Sequence, residues 1–278
     1  MLLKIANTSC YFTAIAKSLH NVLTKRNVPN ELVDVIDLHD HFSVYIIFTV
    51  HEGYPLPTKY IAYNFEQLIT DRKWSNSLFI RLAQAIEVWD YSMENVKVLT
   101  AKGIRAFFVP WGYNESMVPT VCTQISSNND LPLVLFVGSN NQRRSDIMRQ
   151  IKAKVNVVSN VWGQELDRVQ STHDIGLNIH YYTGKTILEI PRILPQLVAG
   201  LWIISERSDD PYYDEKCKDL VTFVDSLKEF NFAIEAVLAL TPDERQTEIQ
   251  ARLKRFRAGW KYEENDFFVK NFPTQQKK

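Results

Sequence analysis

Short runs of apolar, largely β-branched residues punctuate the chain. In the second half they are Leu133–Val137, Val155–Val158, Ile175–Ile179, Leu201–Ser205 and Val221–Val224. They begin roughly 20–25 residues apart with helix-compatible segments between, which suits strand–helix–strand crossovers rather than hairpins. The runs are nearly continuous in apolar residues, the pattern of strands buried on both faces, and so predict a parallel sheet covered by helices. The first half repeats the plan less clearly. Strands are expected near Leu3–Asn7, ending at Val50, over Tyr60–Tyr63, near Val88–Ser92 and within Ala106–Tyr113. A helix is expected from Phe12 to Leu23, with Ile15, Leu19, Val22 and Leu23 on one face.

The reading is α/β: two Rossmann-like domains with parallel sheets. Residues 1–113 form the first domain. Residues 114–131, polar and irregular, with Pro119 and the Ser-Ser-Asn-Asn-Asp cluster, form a linker. Residues 132–252 form the second domain. Residues 253–278 form a helix or tail that crosses back onto the first domain, with only TQQKK expected to be disordered.

Composition narrows the function. The chain has 278 residues, 45% of them hydrophobic, and 32 Lys+Arg against 32 Asp+Glu. This is enough for a packed core, and a net charge of zero argues against nonspecific nucleic-acid binding. Cys10, Cys122 and Cys217 are scattered and form no CxxC pair, so free thiols in a reducing compartment are expected. The start turns polar too soon for a signal peptide, and no run approaches the ~18 apolar residues of a membrane span. A cytoplasmic location is the expectation.

Ligands of open parallel sheets bind beyond the carboxyl ends of the strands. After Val137 come Gly138, Ser139 and then Arg143 and Arg144, a turn and two cations suited to an anion. After Ile179 come His180, Tyr181, Tyr182, Thr183, Gly184 and Lys185, expected near the first turn of a helix whose amides would hold a diphosphate. Glu189 and Arg192 lie one turn apart, fitted to ribose hydroxyls and charge balance, or to a surface ion pair. In the first domain, His51, Glu52, Asn64, Glu66 and Asp90 follow strands. Any of His51, Glu52, Glu66 or Asp90 could act as a general base.

Several chemistries are excluded. Gly-Lys-Thr at 184–186 is not a P-loop, because position 179 is isoleucine. None of the nine glycines makes GxGxxG, and His51-Glu52 does not begin HExxH. His39 and His41 lack an evident third ligand, and no Asp-x-Asp pair offers a metal clamp for a diphosphate.

The segments YNFEQL (63–68), WDYSMENVKVL (89–99), VPWGY (109–113), LFVGSNNQRR (135–144) and LNIHYYTGKTILEIPRILPQLVAGLWIISE (177–206) together resemble glycosyltransferases of the GT-B fold. The likeness is to their bacterial and large-virus group. It implies two Rossmann-like domains facing a cleft and metal-independent transfer of a hexose or pentose from a nucleotide-diphosphate sugar. The transfer would go to a hydroxyl of a glycan or glycoprotein, with no cofactor. Gly138, Arg143 and Arg144 would approach the diphosphate. His180, Tyr181, Tyr182, Thr183 and Lys185 would line phosphate and sugar, Glu189 and Arg192 would serve the ribose, and Trp162 would lie near the base. Asn64 and Glu66 would stand on the acceptor side, with Glu52 or His51 as catalytic base. One departure is that the second glutamate of the common GT-B pair falls on Pro195. A catalytically inactive GT-B-like scaffold is the alternative.

Overall fold

The computed structural model describes residues 1–70, 74–119 and 134–273. The chain divides into two compact units, residues 1–117 with 261–278, and residues 118–260.

The first unit is built on a six-stranded parallel sheet of order β2-β1-β3-β4-β5-β6. Its strands are β1 (Leu3–Ala6), β2 (Asn30–Val33), β3 (Val44–Ile47), β4 (Tyr60–Asn64), β5 (Glu87–Asp90) and β6 (Ala106–Phe108). Its helices are α1 (Thr13–Lys25), α2 (Asn76–Gln84) and α3 (Met93–Ala101). β3 and β4 are buried along their whole length, as their apolar sequence requires up to the buried Asn64 that ends β4. The apolar face of α1 buries Ile15, Leu19, Val22 and Leu23. β2 has no apolar run to announce it; its sequence NELV is an edge strand paired only to β1.

The second unit carries a five-stranded parallel sheet of order β11-β10-β9-β7-β8. The strands are β7 (Val134–Val137), β8 (Val155–Val158), β9 (Ile175–Asn178), β10 (Trp202–Glu206) and β11 (Val221–Val224). Its helices are α4 (Gln142–Gln150), α5 (Gly163–Gln170), α6 (Ile190–Val198), α7 (Pro211–Cys217), α8 (Leu227–Ala239) and α9 (Pro242–Gly259). Phe136, Leu177, Ile179, Ile204, Phe230 and Ile234 form part of its core. Gly176 on β9 lets α6 pack close, since a Cβ there would run into the Gln196 side chain and reach 2.9 Å from Ile203.

Two boundaries differ from the sequence reading. Residues 114–117, placed there in the linker, belong to the first unit, with a 3-10 turn at Glu115–Met117. Asn114 Nδ2 donates to Asn21 Oδ1 on α1, and Ser116 lies beside Ser18. The rest of that linker, from 120 to 131, and the TQQKK tail lie outside the described residues. Residues 253–259, placed in the tail, continue α9 of the second unit. A capping box at Thr241 and Glu244 starts this helix, and no breaker interrupts it before Gly259. Residues 261–273, including α10 (Asp266–Asn271), join the first unit. There Tyr262 is buried with its hydroxyl 3.0 Å from that of Tyr63, and Phe268 packs edge-on to Trp89. Among the described residues, no helix is long and apolar enough to cross a membrane.

Candidate functional site

In the second unit the chain leaves β7 for β8 on one side, while β9 lies on the other. Their carboxyl ends therefore open a crevice at the switch of strand order. Gly138 makes the turn at φ +142, and a Cβ there would come 2.9 Å from the Arg192 guanidinium. Only glycine combines that backbone with that approach. Asn141 then caps α4: its Oδ1 accepts from the Arg144 amide at 2.9 Å, and its Nδ2 donates to the Tyr181 carbonyl at 2.7 Å. The cap thus aims Arg143 and Arg144 at the end of β9.

Arg144 is 2% exposed. Its Nε donates to the Ile179 carbonyl at 2.9 Å and its Nη1 to the Ser139 carbonyl at 2.6 Å. Arg192, reaching back from α6, donates to Asn178 Oδ1 at 2.8 Å. Both guanidiniums lie 5.2 Å from the centre of the Phe136 ring, which receives them as a cation–π platform. Between them sits Glu189, accepting from Asn178 Nδ2 at 2.9 Å, His180 Nδ1 at 2.8 Å and the Tyr181 amide at 3.2 Å. Arg144 Nη2 lies 3.6 Å from it. Arg143 donates to the His180 carbonyl at 2.8 Å and grips both oxygens of Glu206, whose Oε2 also accepts the His180 amide at 2.7 Å.

Electrostatics follow from this packing. Burial opposes the charge on Glu189, but His180, then Arg192 and Arg144, override it and hold the carboxyl well below the usual range. Burial likewise opposes a charge on His180, but Glu189 and Glu206 outweigh it and raise its pKa. Burial, reinforced by Arg192, lowers Arg144 to about 9, still charged at neutral pH. Arg143, Arg144, Arg192 and a charged His180 outnumber Glu189 and Glu206 within this network, whereas at the cavity wall Arg207 is offset by Asp209 and Asp225.

A cavity of about 470 Å³ opens beside this network. Arg143, His180, Tyr182, Thr183 and Arg207 line it, and Asp225 and Ser226 after β11 contribute a polar rim. Its volume is that of a small-ligand site.

The sequence-selected residues distribute as follows. Arg143, His180, Tyr182 and Thr183 line the cavity. Gly138 shapes the turn. Arg144 is buried and Glu189 and Arg192 are half-buried in the same network, and the guanidinium 3.6 Å from Glu189 is that of Arg144 rather than the Arg192 of the ion-pair alternative. Tyr181 and Lys185 are exposed. Trp162 precedes α5 after edge strand β8 and does not line the cavity. The helix expected to start near Gly184 and Lys185 does not start there. Residues 180–189 are loop, and α6 begins at Ile190 with Pro191 in its first turn. The Thr186 amide is already taken by Asp209 Oδ2 at 2.8 Å.

In the first unit, His51 and Glu52 lie in a 3-10 turn after β3, and His51 Nε2 stands 3.5 Å from Glu66 Oε1. Glu52 is exposed. Asn64 and Asp90, expected as an acceptor-side residue and a possible base, are hydrogen-bonded to each other. Both are buried, with Asn64 Nδ2 donating to Asp90 Oδ2 at 2.7 Å and to the Glu66 carbonyl, while Asp90 Oδ1 accepts from the Ser92 amide and Asn95. The sequence reading assigned no role to Glu206, Arg207, Asn178 or Asp225. The signal was present, since each sits at or just after the carboxyl end of a strand, as the chosen residues do. Among the described residues, no group of three or more His, Cys, Asp and Glu is placed to hold a metal ion.

No family model matches the chain. Two uncharacterized proteins of Acanthamoeba polyphaga mimivirus are similar to it. One is 22% identical over 242 residues, 82% of this chain and 78% of the relative. The other is 26% identical over 159 residues, 55% of this chain and about half of the relative, 54%. Among solved structures, T4 phage BGT in complex with its UDP-glucose substrate matches with a TM-score of 0.60 at 13% identity, over 98% of this chain and all of that one (100%). The lipopolysaccharide outer core galactosyltransferase WaaB matches at 0.52 and 13%, over 96% and 98% of the two chains. WaaG, a glycosyltransferase involved in lipopolysaccharide biosynthesis, matches at 0.53 and 9%, over 97% of each. The chain has the GT-B glycosyltransferase fold.

Proposed function

We propose that this GT-B chain is a glycosyltransferase that moves a hexose or pentose from a nucleotide-diphosphate sugar to an acceptor hydroxyl of a glycan or glycoprotein. The observation that carries the reading is the cluster of Arg143, Arg144, Arg192 and His180, packed at the strand-order switch beside a ligand-sized cavity. Fixed cations in a partly buried site stabilise a leaving diphosphate far better than solvent-exposed ones. Three of the solved structures that share the fold are, by name, a galactosyltransferase, a glycosyltransferase and a UDP-glucose-binding protein, which supports the donor class.

In this reading the acceptor oxygen forms a bond to the anomeric carbon as the bond from that carbon to the diphosphate oxygen breaks. The electron pair leaves with the nucleoside diphosphate. Arg143, at the cavity wall, contacts the departing phosphates, while Arg144 and Arg192 supply charge from beneath. The acceptor proton passes to a base, for which His51, beside Glu66, is the first candidate and Glu52 the second. Glu189 does not line the cavity and already accepts three hydrogen bonds, so it serves the ribose by holding the residues around it in place. The cations do the work of a metal clamp, so transfer is metal-independent and needs no cofactor. The exposed Cys10 and buried Cys217, both free thiols, fit a reducing compartment such as the cytoplasm.

The test is a thermal-shift panel followed by donor turnover in the presence of EDTA. UDP or GDP raises the melting temperature, and the matching sugar nucleotide is consumed with chelator present. A response to ATP or S-adenosylmethionine alone would end the reading, and binding without turnover by the intact chain would favour an inactive scaffold.

A further inference from the structure

Both ring nitrogens of His180 face acceptors. Nδ1 lies 2.8 Å from Oε2 of Glu189, and Nε2 lies 2.7 Å from the carbonyl oxygen of Arg207. A carbonyl cannot donate, and the Glu189 carboxylate is already ringed by other donors, accepting from Asn178 Nδ2 and the Tyr181 amide with Arg144 Nη2 3.6 Å away, which favours its ionised form. A neutral imidazole carries one N–H and would leave one of these buried contacts without a proton. Only the imidazolium satisfies both. The main chain of the same residue is also engaged: its amide donates to Glu206 and its carbonyl accepts from Arg143. His180 thus joins the end of β9 to the cap of α6, the end of β10 with its following loop, and α4.

The charged groups facing it come from every neighbouring element. Glu189 stands at the N-cap position of α6 with Arg192 behind it; Glu206 ends β10, with Arg207 after it; Asp214 approaches from α7; Arg143 and Arg144 approach from α4. His180 is 3% exposed yet forms part of the cavity wall next to Arg143 and Arg207.

We propose that His180 is a positioning residue that works only as the imidazolium. Its two N–H bonds fix the Arg207 loop and the α6 cap around the anion end of the cavity, and its charge adds to the field there without either N–H reaching the ligand. Because both N–H groups are committed inward, His180 is not the base that receives the acceptor proton. The biological use of this device rests on the glycosyl-transfer reading, but its test does not, because inorganic pyrophosphate serves as the probe.

The experiment follows the His180 ring nitrogens by long-range ¹H–¹⁵N NMR from pH 6 to 9.5 and measures pyrophosphate binding calorimetrically over the same range. His180→Gln, its fold checked by circular dichroism, assigns the signals and removes the pH response of pyrophosphate itself. Glu189→Gln provides a second, independent variant. We expect a doubly protonated ring at pH 7.5 and a roughly tenfold loss of pyrophosphate affinity as that ring deprotonates, the effect of one charge lost nearby. Glu189→Gln moves both titrations to lower pH together. A neutral His180 ring at pH 7.5 overturns the proposal. So does pyrophosphate affinity that ignores the ring's titration, or an intact protein that binds no pyrophosphate. If pyrophosphate binds as expected but no sugar nucleotide is accepted, the glycosyl-transfer reading fails and the role of His180 stands.

Discussion

The Arg143 guanidinium grips Glu206 with both arms, Nη1 to Oε2 at 2.9 Å and Nη2 to Oε1 at 2.5 Å, at the wall of the cavity. The planar fork that would hold a phosphate is therefore already oriented, and a carboxylate occupies the place of the anion. Removing the fork should damage binding and spare the fold. Arg143→Gln should weaken UDP binding by roughly 10- to 100-fold, the loss expected for charge-assisted hydrogen bonds. The pair is partly exposed, so unfolding free energy should change by no more than about 1 kcal/mol. Calorimetric titration and urea melts check the two halves, and unchanged UDP affinity would remove Arg143 from the site.

Glu189 behaves in the opposite way. Its carboxylate is the common acceptor for Asn178, His180 and the Tyr181 amide, with Arg144 alongside. Glu189→Ala strands buried positive charge and should cost about 3–5 kcal/mol of stability. A loss below about 1 kcal/mol in urea denaturation would show that the network relaxes freely.

Gly138→Ala tests the turn. The backbone at φ +142 and the 2.9 Å approach to Arg192 both penalise a methyl group. The expected cost is about 1–3 kcal/mol, with weaker nucleotide binding because Arg192 must move. A variant with wild-type melting and affinity would contradict the close approach.

Two buried histidines should pull stability in opposite pH directions. His173 donates from Nδ1 to the Val169 carbonyl at 2.7 Å and accepts at Nε2 from Asn156, a neutral tautomer, and burial lowers its pKa despite the carbonyl and Asp174. Its contribution is present above the unfolded value of about 6.5 and is lost as pH falls through the lowered folded value. His180 has a raised folded pKa, so its contribution is complete below about 6.5 and is lost as pH rises through the folded value. His173→Gln should flatten the acid side of the stability–pH curve and His180→Gln the alkaline side. Chemical denaturation from pH 5 to 9 decides it, and the reverse assignment would refute both hydrogen-bond patterns.

The first unit separates a structural residue from a chemical one. Asn64→Ala removes a donor to buried Asp90 and should cost about 1–3 kcal/mol. His51→Gln, at a partly exposed position, should leave melting unchanged while lowering kcat. A full-rate His51 variant would pass the role of base to Glu52.

Much of the architecture was legible because buried parallel strands cannot hide. The run at Ile175–Ile179 contains β9 (Ile175–Asn178), a central strand buried along its whole length, since strands buried on both faces must be continuously apolar. β2 was not legible, because an edge strand needs no apolar signature and NELV reads equally well as loop. The start of α6 was misplaced because Gly184 and Lys185 suggested a helix, whereas Pro191 marks the first turn that forms.

At the site, the rule that ligands meet strand ends selected Gly138, Arg143 and His180 from sequence, because residue type and its place after an apolar run are local facts. Whether a strand-end side chain faces a cavity or the interior is not local. Glu189 and Arg192 looked alike in sequence to exposed helix partners, and Asn64 to a ligand. Their burial, the pairing of Glu206 with Arg143 and the double acceptance around His180 arise only when strands far apart in the chain are laid side by side. The chain itself determined which groups stand at the ends of the sheet. Packing among the ends of β7, β9 and β10 decided which of them stay charged, and which are left facing the cavity.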